Sequence, residues 1–201
     1  MKIIGLTGGI GSGKSSVAQF LAELGAVILD TDRVGHEALE QDTEAWQEVV
    51  AVFGRQILTP VGEVDRKKLG DLVFSNPEAL VRLNQIVHPR IGEVVQAQLE
   101  EYRRQGVSVV VLEVPLLVET SGMAMVNQIW VTVASEPVVL SRLEARSGLS
   151  RQQSLARICS QISNEERVKH ADVIIHNDGT LDELKDRVVE LWQGLPFDTS
   201  R

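Results

Sequence analysis

Gly8, Gly13, Lys14 and Ser15 fall at the spacing G-x-x-x-x-G-K-[ST] within LTGGIGSGKSSV, residues 6–17. The order suits phosphate chemistry. Glycines let the backbone wrap with its N–H groups pointing inward, and a helix starting at the loop adds partial positive charge at its N-terminus. Lys14 can then reach the β- and γ-phosphates, while the Ser15 hydroxyl ligates Mg²⁺. Gly9, Gly11, Ser12 and Ser16 complete the cradle. A glycine-rich turn before an ordinary helix is the alternative. An apolar run before the loop and a helical pattern after it favour a nucleoside triphosphate with Mg²⁺.

A phosphate loop alone serves switches, motors and kinases alike. An Asn/Thr-Lys-x-Asp strand end, which a guanine-specific switch carries, is missing here, and a motor usually sits in a larger chain. VILDTD instead places Asp30 and Asp32 at the end of the second apolar run. Carboxyl ends of strands line the ligand crevice of an open α/β sheet, so a carboxylate there can orient an alcohol for attack on phosphorus. The alternative for Asp32 is an N-cap for a helix beginning near Val34, although Gly35 occupies the capping-box position. Asp30 reads as an orienting or structural acid.

RLEARSGLSRQQSLAR, residues 142–157, holds four arginines against one glutamate in a chain of net charge −8. Arg142 and Arg146 are one helical turn apart and share a face. Delivered by a mobile loop, they can neutralise charge on a transferred phosphoryl group. Ordinary solvated arginines are the alternative for these two and for Arg151 and Arg157. Glu113 ends the third run, where many phosphate-loop proteins place an acid near Mg²⁺. LEVPLLVE places Glu113 one turn too far inside for direct metal contact and leaves Glu119 as a surface acid.

The elements that must position these groups are legible as periodicity. Apolar runs at 2–7, 26–30, 107–114, 128–134 and 172–176 lack strict alternation, as in strands covered on both faces. Helical patterns at 14–24, 136–146 and 180–193 fall between them, which predicts alternating βα units around a parallel sheet. About seventy-five residues separate the second and third runs, far more than one crossover needs. Residues 33–105 are helical in pattern and read as an inserted lobe.

The 201 residues suffice for one α/β domain with an insertion, and 43% hydrophobic with 24% charged residues is an ordinary globular composition. The acidic balance argues against nucleic acid or an anionic membrane as partner. Cys159 is the sole cysteine and the four histidines are scattered, so neither a disulfide framework nor a zinc site is expected. The N-terminus lacks a signal-peptide pattern, and the longest apolar run is too short to span a bilayer. A soluble cytoplasmic protein with a small-molecule substrate and no obligate protein partner is the expectation. The tail LPFDTSR is expected to fray.

GLTGGIGSGKS, DTD, FG, DRKKL, HP, VPLLVE, R-x-x-x-R at 142–146, RI-x-x-Q at 157–161 and ADVIIHNDG run in order over residues 5–179. This ordered set closely resembles the dephospho-coenzyme A kinase family. The resemblance implies a P-loop kinase-like three-layer fold with a five-stranded parallel sheet: core 1–32, 106–141 and 166–201, helical substrate lobe 33–105 and an Arg-rich lid at about 142–165. It also implies transfer of the ATP γ-phosphoryl group to the ribose 3′-hydroxyl of dephospho-CoA, with Mg²⁺. Asp32 would then take or orient the hydroxyl proton, with Lys14, Arg142 and Arg146 stabilising the phosphoryl group.

Arg66, His88 and Pro89 would belong to the acceptor site. Read without the resemblance, Arg66 follows the N-cap Asp65, His88 is a polar helix-end residue and Pro89 opens the next helix. Asn177 precedes the turn signal DGT, where backbone and amide groups could frame adenine or simply make the turn. A kinase of another small alcohol and a nucleotide-dependent regulatory module remain as alternatives.

Overall fold

The five apolar runs become strands of one parallel sheet, the first running on by one residue to Gly8 and the other four trimmed by a residue or two at their ends. The computed structural model describes residues 1–114, 117, 124–148 and 150–196, with only the backbone of Phe74. Glu119 and the tail from 197 onward lie outside the described residues. In chain order the elements are β1 (Lys2–Gly8), α1 (Lys14–Glu23), β2 (Val27–Asp30), α2 (Thr31–Ala38), α3 (Glu44–Phe53), a 3₁₀ turn (Arg55–Ile57), α4 (Arg66–Phe74) and α5 (Pro77–Arg104). There follow β3 (Val109–Glu113), β4 (Gln128–Val133), α6 (Glu136–Ser147), α7 (Arg151–Cys159), α8 (Asn164–Val168), β5 (Val173–His176) and α9 (Leu181–Gln193).

The strand order is β2-β3-β1-β4-β5. β1 therefore has β3 on one side and β4 on the other: the chain leaves β1 toward β2 on the β3 side, and the connection from β3 crosses to β4 on the opposite side. That is the topological switch point, where the crevice of an open α/β sheet forms at the carboxyl ends. Register pairs Leu6 with Glu113 and Gly8 with Thr132, so the glycine loop leaves the sheet beside the ends of β3 and β4. α1 and α9 pack on each other, over an apolar core that includes Ile4, Leu6, Val17, Leu21, Val111, Trp130, Ile175 and Val188.

The chain divides into two compact units, Met1–Leu29 with Arg103–Arg201, and Asp30–Tyr102. The second unit has its own core of Val49, Phe53, Ile57, Leu58, Leu69, Val73 and Ala79. Its helices start where the sequence supplies caps. Asp65 accepts from the amides of Lys67 and Lys68 to open α4, and these bonds hold its carboxyl below the ordinary range. Arg90 of α5 meets Glu44 and Glu48 of α3 at 2.8 and 3.2 Å.

Two expectations about helix ends are corrected. Pro89 does not open a helix: α5 runs through it without interruption for 28 residues, and exposed His88 is mid-helix. An interior proline loses one backbone bond and costs about 3 kcal/mol. The burial of Ala79, Val95 and Leu99 elsewhere along the helix offsets that cost. The other correction concerns α2, which begins at Thr31 rather than near Val34, with Asp30 as its N-cap.

Candidate functional site

The phosphate loop begins where β1 ends. Gly13 adopts φ +94°, which allows the chain to turn into α1, and no side chain caps that helix. A helix N-terminus without a side-chain cap at the end of a glycine loop is the arrangement that holds phosphate oxygens. The loop closes on itself through the Ser12 amide, which donates to the Gly9 carbonyl at 3.1 Å.

Asn177 fixes the loop from the carboxyl end of β5, two strands away from β1. Its Nδ2 donates to the Ser12 carbonyl at 2.8 Å, and its Oδ1 accepts from Arg142 Nη2 at 3.2 Å. The residue is only 5% exposed. Its side-chain amide thus ties the loop to Arg142, and the residue also lines the cavity beside the loop. A Cβ on Gly13 would overlap Asn177 Nδ2. Gly13→Ala should therefore destabilise the protein by about 2 kcal/mol or more, combining backbone strain with a displaced buried amide. Urea denaturation checks this, and a change within error would show that Asn177 yields freely.

Lys14 and Ser15 open α1, and Glu113 reaches them from the end of β3. Lys14 Nζ lies 2.6 Å from Glu113 Oε1, and Ser15 Oγ lies 3.4 Å from the same oxygen. The expectation that Glu113 sits too deep is corrected. Parallel pairing with β1 puts it level with Leu6, close enough for a carboxylate to reach the loop. Sequence reasoning underrated this residue, although a carboxylate at the end of the third strand was the available signal.

Arg142 is half-buried on α6 and also donates to the Gly11 carbonyl at 3.3 Å. Arg146, Arg157, Gly11, Gly13, Ser16 and Asn177 join it in lining a cavity of about 680 Å³. The arginine-rich segment is helical here rather than a loop. Gly148, at φ +60°, ends α6, and a Ser150/Gln153 capping box starts α7. Asp178 accepts from the Ser135 amide at 2.7 Å ahead of α6, and that bond keeps its carboxyl below the ordinary range.

Gly9 and Ser12 line a second cavity of about 320 Å³ together with Gln161, Asn164 and Arg167. Ile10, between the glycines, donates its amide to Gln161 Oε1 at 2.9 Å. The Gln161 contact was not foreseen beyond its place in the RI-x-x-Q motif.

In the second unit, Asp30 Oδ1 accepts from the amides of Asp32 and Arg33 at 2.9 and 3.4 Å. Asp32 is therefore not the N-cap; it lies exposed in the first turn of α2. Arg66 lines a cavity of about 600 Å³ with His36, Leu39, Leu69, Val73, Leu80 and Leu83. His36, one turn after Asp32 on the same helix, was missed by the sequence reading, and that spacing was the available signal. His88 and Pro89 are exposed on α5 and are not among this cavity's lining residues.

Mg²⁺ fits the donors present at the phosphate loop. It takes one or two protein oxygens plus substrate phosphates, and Ser15 Oγ with the Glu113 carboxylate supplies such oxygens. Among the described residues, no cluster of three or more His, Cys, Asp or Glu side chains is gathered into a cage. No helix among them is long and apolar enough to cross a membrane.

The family model of dephospho-CoA kinase matches residues 2–183. A dephospho-CoA kinase of Dehalococcoides mccartyi is 45% identical over 185 residues, covering 92% of this chain and 93% of that protein. One from Thermobifida fusca is 46% identical, with 96% and 95% covered. Among solved structures, the dephospho-CoA kinase of Campylobacter jejuni superposes with a TM-score of 0.72 at 28% identity, covering 96% of each chain. A shikimate kinase of Bacteroides thetaiotaomicron, at 16% identity and a TM-score of 0.52 with 96% and 98% covered, shares the fold alone. With the family pattern matched from the first strand into the last helix, the chain belongs to the dephospho-CoA kinase family.

Proposed function

We propose that this protein transfers the γ-phosphoryl group of ATP to the ribose 3′-hydroxyl of dephospho-CoA, yielding coenzyme A and ADP as the last step of coenzyme A synthesis. The observation that carries the reading is the Lys14–Glu113–Ser15 constellation on a phosphate loop in a chain matched to this family over residues 2–183.

Each group has work suited to its chemistry. The loop amides and Lys14 neutralise the β- and γ-phosphate oxygens, and the charge moving toward the leaving oxygen in the transition state strengthens those contacts. Ser15 would hold Mg²⁺, with Glu113 beside it orienting the shell. When bound, the ion would supply positive charge against the triphosphate. Arg142, held against Gly11 and Asn177, adds fixed positive charge at the loop, with Arg146 lining the same cavity. Asp32 would accept the hydrogen bond of the ribose hydroxyl and align it for in-line attack.

The acceptor needs an elongated, partly apolar groove for a pantetheine arm. The cavity in the second unit supplies apolar walls from Leu39, Leu69, Val73, Leu80 and Leu83, with the guanidinium of Arg66 available for a phosphate. His88 and Pro89 are proposed as acceptor residues on family resemblance alone.

The test is ADP release with Mg²⁺ and ATP, comparing dephospho-CoA with AMP, adenosine and shikimate at equal concentration. Turnover selective for dephospho-CoA is expected, and selectivity for any other alcohol would overturn the acceptor. A second expectation concerns the ion. Glu113→Gln should raise the Mg²⁺ concentration for half-maximal rate by about tenfold, the usual effect of losing a supporting carboxylate. An unchanged Mg²⁺ dependence would leave Glu113 only as the ion-pair partner of Lys14.

A further inference from the structure

The phosphate loop is rich in glycine. Ile10 stands between Gly9 and Gly11, and Gly8 precedes them, so the front arm of the loop has little intrinsic backbone restraint. Something outside the loop must hold that arm.

Two attachments meet at Ile10. Its side chain packs with Ala134, Val139 and Leu143, together with Ile158 of α7. Its amide donates to Gln161 Oε1 at 2.9 Å. Apolar packing is non-directional and tolerates sliding, whereas a hydrogen bond fixes distance and angle. The bond to Gln161 therefore sets the register at Ile10, between the Ser12 amide's bond to the Gly9 carbonyl at 3.1 Å and the Arg142 bond to the Gly11 carbonyl at 3.3 Å. Gln161 is itself held on the end of α7, its amide donating to the Ile158 carbonyl at 3.2 Å. Four residues earlier, Arg157 lines the cavity that Gly11 and Gly13 also line.

We propose that Gln161 is a positioning residue for the nucleotide. Its acceptor oxygen pins the Gly9-Ile10-Gly11 arm in the shape that receives the triphosphate, and through α7 it ties Arg157 to the same loop. This rests on the reading of the loop as the ATP site. Without the bond, the arm samples more conformations, and nucleotide binding bears the cost of ordering it. The penalty falls on ATP affinity, not on acceptor affinity.

The experiment compares the whole protein with Gln161→Met, which keeps the side chain's length but has no amide acceptor, and with Gln161→Glu, which keeps an acceptor oxygen. Hydrogen exchange of the Ile10 amide is read by NMR on nucleotide-free protein. In Gln161→Met it should be faster by about tenfold, while Gln161→Glu stays near wild type. In steady-state assays, Gln161→Met should raise KM for Mg·ATP by about tenfold, with kcat changed about twofold at most and KM for dephospho-CoA unchanged. Unchanged Ile10 exchange would overturn the proposal. So would faster exchange with an unaltered KM for Mg·ATP, or a parallel rise in both KM values with a lowered Tm. If Gln161→Met does not fold, Gln161→Ala is judged by the same readouts. Should the wild-type protein fail to turn over dephospho-CoA, the function reading has failed by itself, and calorimetric Mg·ATP affinity of wild type and variant still decides the role of Gln161.

Discussion

Asp32→Asn is expected to lower kcat by about 10²–10⁴-fold, the range over which positioned acid–base groups act, while the affinity for ATP changes by about threefold at most. Asparagine keeps the shape and one acceptor oxygen but loses the charge that draws the hydroxyl proton. Asp30, not Asp32, caps α2, so the role of each carboxylate can be tested separately. Asp30→Ala should cost about 1 kcal/mol of stability through the lost cap, and Asp32→Asn within about 0.5 kcal/mol. Kinetics with both substrates, nucleotide calorimetry and denaturant unfolding together make the test. A loss of ATP affinity as large as the loss of kcat would make Asp32 a structural acid.

Lys14→Met is expected to lower kcat/KM by about 10²–10³-fold, comparable to removing one preorganised donor from a developing oxyanion. The ion pair with Glu113 makes this loss larger than the loss of one contact. The two groups are 2.6 Å apart and mostly buried, so deleting the ammonium leaves a carboxylate facing the triphosphate without that partner. Two like charges about 4 Å apart repel by about 4 kcal/mol at an effective dielectric of about 20. Lys14→Met with Glu113→Gln should therefore recover part of the loss, and the double-mutant cycle should be clearly non-additive. Additive effects would mean that the two side chains act independently once nucleotide is bound.

The phosphate loop was legible in the sequence because its requirements are local. Glycines that permit the turn, the lysine and the hydroxyl lie within eight consecutive residues. The five strands were legible for a related reason, since each is a short apolar run that must be buried whichever neighbours it finds. Asp65 as a cap and Arg66 on the helix after it followed from spacing alone. Helix ends were less secure. Ser, Asp and Pro are signals whose use depends on the competing burial around them, and so α2 began three residues early and α5 continued through Pro89.

The contacts that shape the site belong to tertiary structure. Glu113 and Lys14 are separated by 99 positions, Gln161 and Ile10 by 151, and Asn177 and Ser12 by 165. Alternating βα units are compatible with several strand orders, and only the order observed sets β1 between β3 and β4, with Glu113 level with Leu6. The sequence by itself determined which segments are strands and helices, where phosphate is held and which family the pattern resembles, because propensity, capping and loop chemistry act over a few neighbouring residues. Tertiary structure decided which distant polar groups serve that loop, because strand register and the need to pair every buried donor and acceptor are settled only when the whole sheet assembles.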